Sequence, residues 1–251
     1  EIDDEDGEVG GRVLRYKEKP ARPTFSWASM TIFCFRPEVL AEVLAINAVE
    51  DDSFEFGRDI IPRLLYGRKR IYGYKFHGYW GYTRTLDEYW RTNMDLLGRE
   101  PKLKLEEWGI RTNLEHRHIR DYQPLKVGSG ADIQNSMIYN GCTVEGRVEN
   151  SILFPGVRIE RGAVVRDSVL FFNNIVGRNC RLEKVVSDVN NTIGEGARIG
   201  EEGPVAEMEV TVIGWNNFIP KESVIGSDCT IYPELKPEKI AKGVKTGEIV
   251  R

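Results

Sequence analysis

The sequence predicts two successive folds, an α/β segment up to about Leu97 and an all-β solenoid after it. The α/β segment is indicated by strand and helix patterns that alternate along the chain. The solenoid is indicated by a repeat. Residues 135–139, 150–154 and 167–171 each read Asn or Asp, Ser, two apolar residues and an aromatic residue, and their starts are 15 and 17 residues apart. One such coil cannot bury its apolar face alone, so this period predicts stacked coils with a continuous core.

Three strands are predicted in the α/β segment, as part of a mixed sheet. Polar and apolar residues alternate over 11–16 and over 71–76, which is typical of half-buried strands. Residues 26–35 are rich in aromatic and β-branched side chains and predict a buried strand. A proline follows the first run, which places the charged pair Glu18 and Lys19 at a strand end.

Three helices are predicted between and after these strands. Pro37 opens the first, whose apolar residues recur at helical spacing. Residues 60–65 form a short second helix. Thr85 and Glu88 match a capping box, in which each side chain satisfies a free backbone N–H, and they predict a third helix that Gly98 ends.

In the solenoid, apolar residues recur about every six positions from Val127 onwards. Gly, Asn and Asp punctuate the corners, as at Asn140-Gly141, because these residues tolerate left-handed backbone conformations. One inward apolar residue per face predicts a triangular prism. Residues 201–209 interrupt the rhythm and are predicted to form a loop excursion, and the tail from Leu235 either caps the prism or leaves it.

Composition limits the possible partners. The net charge is −4 and no cluster of five basic residues occurs, which disfavours nucleic acid as a partner. No apolar run reaches the roughly 18 residues of a membrane span, and residues 1–8 are acidic where a signal peptide is basic and then apolar. We therefore expect a cytoplasmic protein without a membrane partner.

Cysteine and histidine do not form a recognisable metal motif. The four cysteines lie far apart and are expected to be buried free thiols: Cys34, Cys142, Cys180 and Cys229. His116 and His118 have strand-like spacing, but no Cys or carboxylate cluster joins them, so no metal site is predicted there. His77 is predicted to pack at a strand end. Because no His follows His118, acyl transfer on the solenoid is disfavoured.

A series of ordered motifs resembles the C-terminal part of ADP-glucose pyrophosphorylase, that is, glucose-1-phosphate adenylyltransferase. The motifs are Glu18-Lys19-Pro20, Ala28-Ser29-Met30, Phe56-Gly57-Arg58-Asp59, Gly78-Tyr79-Trp80, Thr85-Leu86-Asp87-Glu88-Tyr89-Trp90, Asn93-Met94-Asp95-Leu96 and residues 108–112. The resemblance implies a Rossmann-like nucleotidyltransferase segment followed by a left-handed parallel β-helix of the hexapeptide type. The implied domains are the C-terminal part of the catalytic domain (1–98), a linker (99–124) and the β-helix with its tail (125–251).

The family reaction joins glucose 1-phosphate to ATP, releases pyrophosphate and uses Mg²⁺, in the pathway to glycogen or a related glucan. The resemblance implies that Lys19 contacts the sugar phosphate, that Glu18 binds sugar hydroxyls, and that Ser29 and Trp80 line the substrate pocket. An ammonium group suits phosphate as a point charge. Without the resemblance, Glu18 and Lys19 would be a solvated surface pair.

Four departures from the family pattern predict weakened catalysis. The Gly-rich phosphate loop is absent, so ATP binding requires an N-terminal part, and we expect the chain to be a piece of a longer protein. Tyr82 stands where the family has its metal-binding Asp, which disfavours Mg²⁺ binding. Arg84 and Thr31 each stand where the family has glycine. The opposing interpretation is that Arg84 stabilises the developing charge and Asp59 holds the metal.

Three functions stay open at this level: a nucleotidyltransferase for glucose 1-phosphate, a non-catalytic regulatory or scaffold subunit of a mixed oligomer, and a nucleotidyltransferase for another sugar phosphate. Either a homo-oligomer or a hetero-oligomer is expected, with the solenoid as the platform for subunit contact. In the family, anionic effectors bind basic residues between the domains. Asp188 and Trp215 stand at two of the expected basic positions, which makes the usual phosphorylated activators doubtful.

Overall fold

A computed structural model of the chain describes residues 1–50, 53–109, 121–200, 209–241 and 243–251. Two compact units are present, Glu1–Gly78 and Tyr79–Arg251. Residues 110–112, His116, His118 and the predicted excursion over 201–208 lie outside the described residues. The domain boundaries at residues 98 and 124 stay predictions. In the described part of the chain, no helix is long and apolar enough to cross a membrane.

The first unit contains short strands and helices around a small core. In chain order they are a 3-10 helix (Asp4–Val9), β1 (Gly10–Arg12), α1 (Pro37–Glu50), a π-helical turn (Phe56–Ile60), α2 (Ile61–Tyr66) and β2 (Tyr72–Tyr74). Strands β1 and β2 pair antiparallel, with Gly10 opposite Tyr74. Val43 of α1, Ile60 and Leu64 are buried together and form the core of this unit. The predicted first and second helices are therefore confirmed.

The predicted strand over 26–35 is wrong. These residues are irregular, and Trp27 and Ile32 are 47% and 73% exposed. Thr31 has a φ of +58°, which interrupts any extended run, and no described strand pairs with the segment. The predicted mixed sheet is accordingly a two-stranded antiparallel ribbon within the described residues. His77 lies after β2 as predicted but is exposed, with its ring edge-on to Trp27 and its Nε2 3.1 Å from the Glu8 carbonyl oxygen.

The second unit begins with a loop and α3 (Leu86–Met94), and the predicted cap is present. Thr85 Oγ1 accepts a hydrogen bond from the Glu88 N–H at 3.2 Å. The Glu88 carboxylate contacts the same hydroxyl at 3.2 Å rather than a backbone N–H. The helix ends at Met94, before the predicted Gly98, because the Asp95 and Leu96 N–H groups bond the Arg91 and Asn93 carbonyls in a closing turn.

Among the described residues, nineteen short strands build the solenoid. They are β3 (Lys126–Val127), β4 (Asp132–Gln134), β5 (Met137–Ile138), β6 (Thr143–Val144), β7 (Arg147–Glu149), β8 (Ile152–Leu153), β9 (Arg158–Ile159), β10 (Val164–Arg166), β11 (Val169–Leu170), β12 (Ile175–Val176), β13 (Arg181–Glu183), β14 (Val185–Ser187), β15 (Thr192–Ile193), β16 (Arg198–Ile199), β17 (Thr211–Ile213), β18 (Phe218–Ile219), β19 (Val224–Ile225), β20 (Thr230–Ile231) and β21 (Ile249–Val250). A 3-10 helix over Pro237–Lys239 precedes the last strand.

From β3 to β20 every third strand joins the same parallel sheet, and β21 adds to β20; this arrangement confirms the predicted prism. The sheet orders are β3-β6-β9-β12-β15-β18, β4-β7-β10-β13-β16-β19 and β5-β8-β11-β14-β17-β20-β21. The three repeat segments are β5, β8 and β11, with Met137, Ile152 and Val169 in register. The tail caps the prism, since Ile240 is buried and Val244 bridges to Ile225. The left hand of the solenoid remains an expectation from the resemblance.

The repeat residues make the corners and the core. Asn135, Asn150 and Asp167 all have left-handed backbone, with φ of +43°, +47° and +48°. Their side chains form a ladder, in which Asn135 Nδ2 donates to Asn150 Oδ1 at 2.8 Å and Asn150 Nδ2 donates to Asp167 Oδ1. The Ser151 hydroxyl accepts from the next Ser168 N–H at 3.1 Å. Inside, the six-residue series is buried from Val144 to Ile231.

Candidate functional site

In the first unit, the structure brings Glu18 and Ser29 together around a third side chain, Tyr16. The Tyr16 hydroxyl donates to Glu18 Oε2 at 3.0 Å, and the Ser29 side chain lies near enough to lower the pKa of this hydroxyl slightly against the other causes. Burial raises the pKa of Tyr16, and the hydrogen bond to Glu18 raises it further, so the phenol stays protonated at neutral pH. Sequence reasoning missed Tyr16, although period-two spacing places it on the same side of an extended segment as Glu18.

Lys19 lies beside this cluster with its ammonium in solvent. Its Nζ is 3.7 Å from Glu18 Oε1, and its side chain is 71% exposed, whereas that of Glu18 is 28% exposed. The backbone of Lys19 is left-handed, with φ of +38°, as is that of Thr31. Left-handed backbone at non-glycine residues costs about 1 to 3 kcal/mol each and concentrates at functional sites. The two segments that carry Lys19 and Ser29 are thus both held in unfavourable backbone conformations.

Gly57 closes the cluster from the other side. A Cβ atom at this position would lie 2.1 Å from Glu18 Oε2 and 3.0 Å from the Tyr16 hydroxyl oxygen. Only glycine therefore leaves room for the carboxylate as it stands. The π-helical turn over Phe56–Ile60 holds this residue in place, and Gly57 belongs to one of the motifs that carry the family resemblance.

Asp59, the alternative metal ligand, is engaged in holding its own loop. Its Oδ2 accepts from the Ser53 hydroxyl at 2.6 Å and from the Glu55 N–H at 2.8 Å. The hydrogen bond from Ser53 is the main cause that lowers the pKa of Asp59. Binding a cation would require these bonds to be given up, so the geometry favours a structural role for this carboxylate.

The remaining site residues belong to the second unit, in the loop before α3. Trp80 is 51% exposed. Its neighbour Tyr79 donates to Asp95 Oδ2 at 3.0 Å, and Lys102 pairs with the other oxygen of the same carboxylate at 2.8 Å. Burial, followed by the bond to Asp95, raises the pKa of Tyr79. These contacts fasten the loop to α3.

Tyr82 and Arg84 lie together in this loop. The Arg84 guanidinium carbon is 5.7 Å from the centre of the Tyr82 ring, within the range of a cation–π contact. A neutral phenol is a poor ligand for Mg²⁺, which prefers carboxylate and phosphate oxygens, and a guanidinium beside it repels a divalent cation. No group of three or more His, Cys, Asp or Glu side chains that could hold a metal exists among the residues described. The residues of this loop therefore do not fit Mg²⁺.

Helix α3 packs on an apolar outer face of the solenoid within the same unit. Tyr89, Trp90 and Met94 contact side chains that point outwards from the sheet of β5, β8, β11, β14 and β17, among them Ile152 and Val169. Trp90 Nε1 donates to the Asp167 carbonyl oxygen at 2.6 Å. The helix thus has one buried face, and the outer face of this sheet is covered rather than solvated.

Asp188, at one of the two positions where the resemblance implies a basic effector-binding residue, lies near the start of α3. Asp188 lines a cleft of about 300 Å³ whose other lining residues are mostly apolar: Leu86, Tyr89, Phe171, Val186, Val212, Ile213 and Gly214. Asp188 Oδ1 accepts from the Val189 N–H at 2.8 Å, and Trp215 is 45% exposed. A carboxylate at the edge of an apolar cleft is unfavourable for a phosphate group, in agreement with the doubt raised by the sequence.

Comparison with known proteins also divides the chain into two parts, although at a later point than the two compact units do. The Nucleotidyl transferase family model matches residues 2–99, and the GlmU-like, C-terminal hexapeptide family model matches residues 125–212. The predicted order, a nucleotidyltransferase segment followed by a parallel β-solenoid, is thereby confirmed.

Curated relatives share the resemblance over most of the chain. The glucose-1-phosphate adenylyltransferase of Desulfitobacterium hafniense (strain Y51) is 35% identical over 221 residues, which is 87% of this chain and 55% of the relative. That of Acetivibrio thermocellus is 32% identical over 244 residues, 91% of this chain and 55% of the relative. That of Thermotoga maritima is 35% identical over 260 residues, 97% of this chain and 59% of the relative. The chain thus spans little more than half the length of these relatives.

Proposed function

Because the chain is similar to glucose-1-phosphate adenylyltransferases over most of its length, we propose that it is the C-terminal portion of a protein of that type. The proposed reaction joins ATP and glucose 1-phosphate into ADP-glucose and pyrophosphate, for the synthesis of glycogen or a related glucan. Our proposal rests chiefly on one observation, the cluster of Glu18, Ser29 and Tyr16, in which Tyr16 donates a hydrogen bond to Glu18, beside the exposed ammonium of Lys19.

Each residue of the cluster has a chemical role in this proposal. The Lys19 ammonium is flexible and solvated, which suits a point charge that receives the phosphate of the sugar. Glu18 accepts hydrogen bonds from sugar hydroxyls through Oε1, since Oε2 already accepts from Tyr16. Ser29 lines the same pocket, and a role of Trp80 in substrate binding remains an expectation from the family resemblance. The remaining part of a longer protein supplies the ATP site, with Mg²⁺ held there by the nucleotide phosphates.

We further propose that catalysis is weakened. Transfer of a nucleotidyl group depends mainly on positioning and on stabilising charge that develops on phosphate oxygens. Tyr82 and Arg84 place a phenol and a guanidinium where the family has a metal-binding carboxylate and a glycine. Arg84 supplies positive charge but no anchor for the cation. The expected consequence is slow turnover with sugar-phosphate binding retained.

The same observation favours a second function, a regulatory or scaffold subunit that binds sugar phosphate and assembles with an active partner through the solenoid. A nucleotidyltransferase for another sugar phosphate is the third alternative. Cytoplasmic location and a homo- or hetero-oligomer remain predictions from the family and the composition.

Binding of glucose 1-phosphate to the chain tests the site directly. Isothermal titration calorimetry is expected to detect binding, and Lys19→Ala is expected to weaken it at least tenfold, because a charge-assisted hydrogen bond is worth about 1.5 to 3 kcal/mol. Lys17→Ala is the matched control, since Lys17 is an exposed neighbour of the same type. Equal losses in both variants would show a general electrostatic effect and would contradict the assigned role of Lys19.

Turnover is tested in the full-length protein. Tyr82→Asp combined with Arg84→Gly is expected to raise the rate of pyrophosphate release from ATP and glucose 1-phosphate. If the unmodified full-length protein already releases pyrophosphate as fast as its relatives do, the weakened-catalysis proposal is wrong.

A further inference from the structure

We infer that Tyr16 is a positioning residue of the sugar-phosphate site, which fixes the Glu18 carboxylate so that Oε1 faces the incoming sugar. This inference rests on the proposed function of the site. It goes further because it assigns the preference for a sugar phosphate over phosphate alone to the Tyr16 hydroxyl. In this inference Tyr16 acts through Glu18 and does not contact the substrate.

A hydrogen bond from Tyr16 orients the carboxylate. The Tyr16 hydroxyl donates to Glu18 Oε2 at 3.0 Å, and the nearby Ser29 Oγ accepts from the Thr31 N–H at 3.1 Å. A phenol can donate only once, and the donation of Tyr16 has a defined acceptor. The Tyr16 hydroxyl hydrogen is therefore already used when a ligand arrives.

Steric contact restricts the carboxylate as well. Gly57 lies so close to Glu18 Oε2 that even a methyl group would overlap with it, at 2.1 Å. Oε2 thus lies between the Tyr16 hydroxyl, which donates to it, and the backbone of Gly57. The opposite oxygen, Oε1, is on the side of Lys19 Nζ, at 3.7 Å. A ligand that combines a phosphate with neighbouring hydroxyl groups matches this pair of an ammonium and a carboxylate oxygen that Tyr16 does not occupy.

The two halves of such a ligand are recognised separately. Binding of the phosphate depends on the Lys19 ammonium, whose side chain is mostly exposed. The sugar depends on the orientation of Glu18, which Tyr16 fixes. Removing only the Tyr16 hydroxyl is therefore expected to reduce affinity for the sugar phosphate while leaving affinity for inorganic phosphate intact.

The experiment compares two ligands on one protein. Dissociation constants for glucose 1-phosphate and for inorganic phosphate are measured by calorimetry on the native chain, on Tyr16→Phe and on Tyr66→Phe. Tyr66 is the matched control because it is 88% exposed. Tyr16→Phe is expected to lose about tenfold in the preference for glucose 1-phosphate over phosphate, with phosphate affinity changed less than twofold.

A second variant approaches the carboxylate from the other side. Gly57→Ala is expected to displace Glu18 and to lower the same preference without a change at Tyr16. Gly130→Ala serves as its control, because a Cβ there would meet only one backbone oxygen, 4.0 Å away. Thermal unfolding of each variant shows whether the protein remains folded.

The outcomes separate the two proposals. If the native chain binds glucose 1-phosphate no better than phosphate, the proposed site is wrong and the role of Tyr16 is refuted with it. If the native chain shows the preference and Tyr16→Phe keeps it, the site stands and Tyr16 is not a positioning residue. Equal losses for both ligands in Tyr16→Phe would indicate general damage and would also overturn the inference.

Discussion

Trp90 is expected to hold α3 on the solenoid, and its replacement should measurably destabilise the second unit. Its indole N–H donates to the Asp167 carbonyl oxygen at 2.6 Å, and Lys184 Nζ lies 4.8 Å from the centre of its ring. The ring also packs with the outward-facing side chains Ile152 and Val169. One side chain thus combines a hydrogen bond, a cation–π contact and apolar burial.

Two substitutions separate these contributions. Trp90→Phe keeps an aromatic ring but loses the N–H donor and weakens the cation–π contact, and each change costs about 0.5 to 1.5 kcal/mol. We expect Trp90→Phe to lower the free energy of unfolding by about 1 to 2 kcal/mol. Trp90→Ala removes the packing as well, and because the ring is only partly buried, about 3 kcal/mol is expected, at the low end for such truncations.

Denaturation by urea, followed by circular dichroism of the β-solenoid, measures both values. Trp215→Phe is the control, because Trp215 is 45% exposed. The reasoning is refuted if Trp90→Ala costs less than 1 kcal/mol, which would mean that α3 contributes little to the unit. Equal losses for Trp90→Phe and Trp90→Ala would show that packing of the ring contributes nothing, in conflict with the contacts.

Three further predictions concern backbone strain, charge and thiols. Thr31→Gly should stabilise the chain by about 0.5 to 1 kcal/mol in urea, because relief of left-handed strain exceeds the added chain entropy; a loss of stability would show that the strain is absent. Burial raises the pKa of Asp167, so the folded state disfavours its ionised form; Asp167→Asn should be more stable than the native chain at pH 7, with a difference that shrinks as the pH falls through the raised pKa. A difference that grew at low pH would contradict this sign. Only Cys34 is exposed, and burial raises the pKa of Cys142 to about 11, so a thiol reagent at pH 8 should label one cysteine rapidly and all four after unfolding. Rapid labelling of the native chain at more than one thiol, or in Cys34→Ser, would be the contrary result.

The solenoid could be predicted because the same packing and corner requirements recur in every coil. A coil that returns every 15 to 17 residues must place apolar residues inside and left-handed residues at corners, and Asn135 and Asn150 do so. The fourth coil breaks the rule, since Lys184 occupies the corner with φ of +53°. Its Nζ lies over the Trp90 ring, a partner 94 residues earlier in the chain. Local spacing carries no information about such a distant contact, so this departure could not be predicted.

The first unit was harder to predict because its elements are short and its loops are strained. Aromatic and β-branched composition over 26–35 was interpreted as burial in a sheet, yet Trp27 and Ile32 are exposed. Composition indicates whether a segment would be favourable as a strand in a sheet. In this segment the left-handed backbone of Thr31 interrupts the extended conformation that a strand requires. Of the four cysteines, Cys34 lies in this segment and is the one that is exposed, contrary to the prediction, because the strand that would have buried it is not formed.

The departures from the family pattern affect the residues expected near the metal more than those proposed to bind the sugar phosphate. This difference helps to choose between an enzyme and a regulatory subunit. The groups proposed to recognise the sugar phosphate form an ordered cluster, with Glu18 fixed by Tyr16 and space reserved by Gly57. Tyr82 and Arg84, which contact each other, stand where the family resemblance implies a metal-binding carboxylate and a glycine. A site of this kind separates binding from turnover, because recognition of the sugar uses only the first set. The ratio of affinity to turnover in the full-length protein therefore discriminates the two functions better than either quantity alone: tight binding with slow pyrophosphate release supports a regulatory subunit, whereas proportionate values support an enzyme.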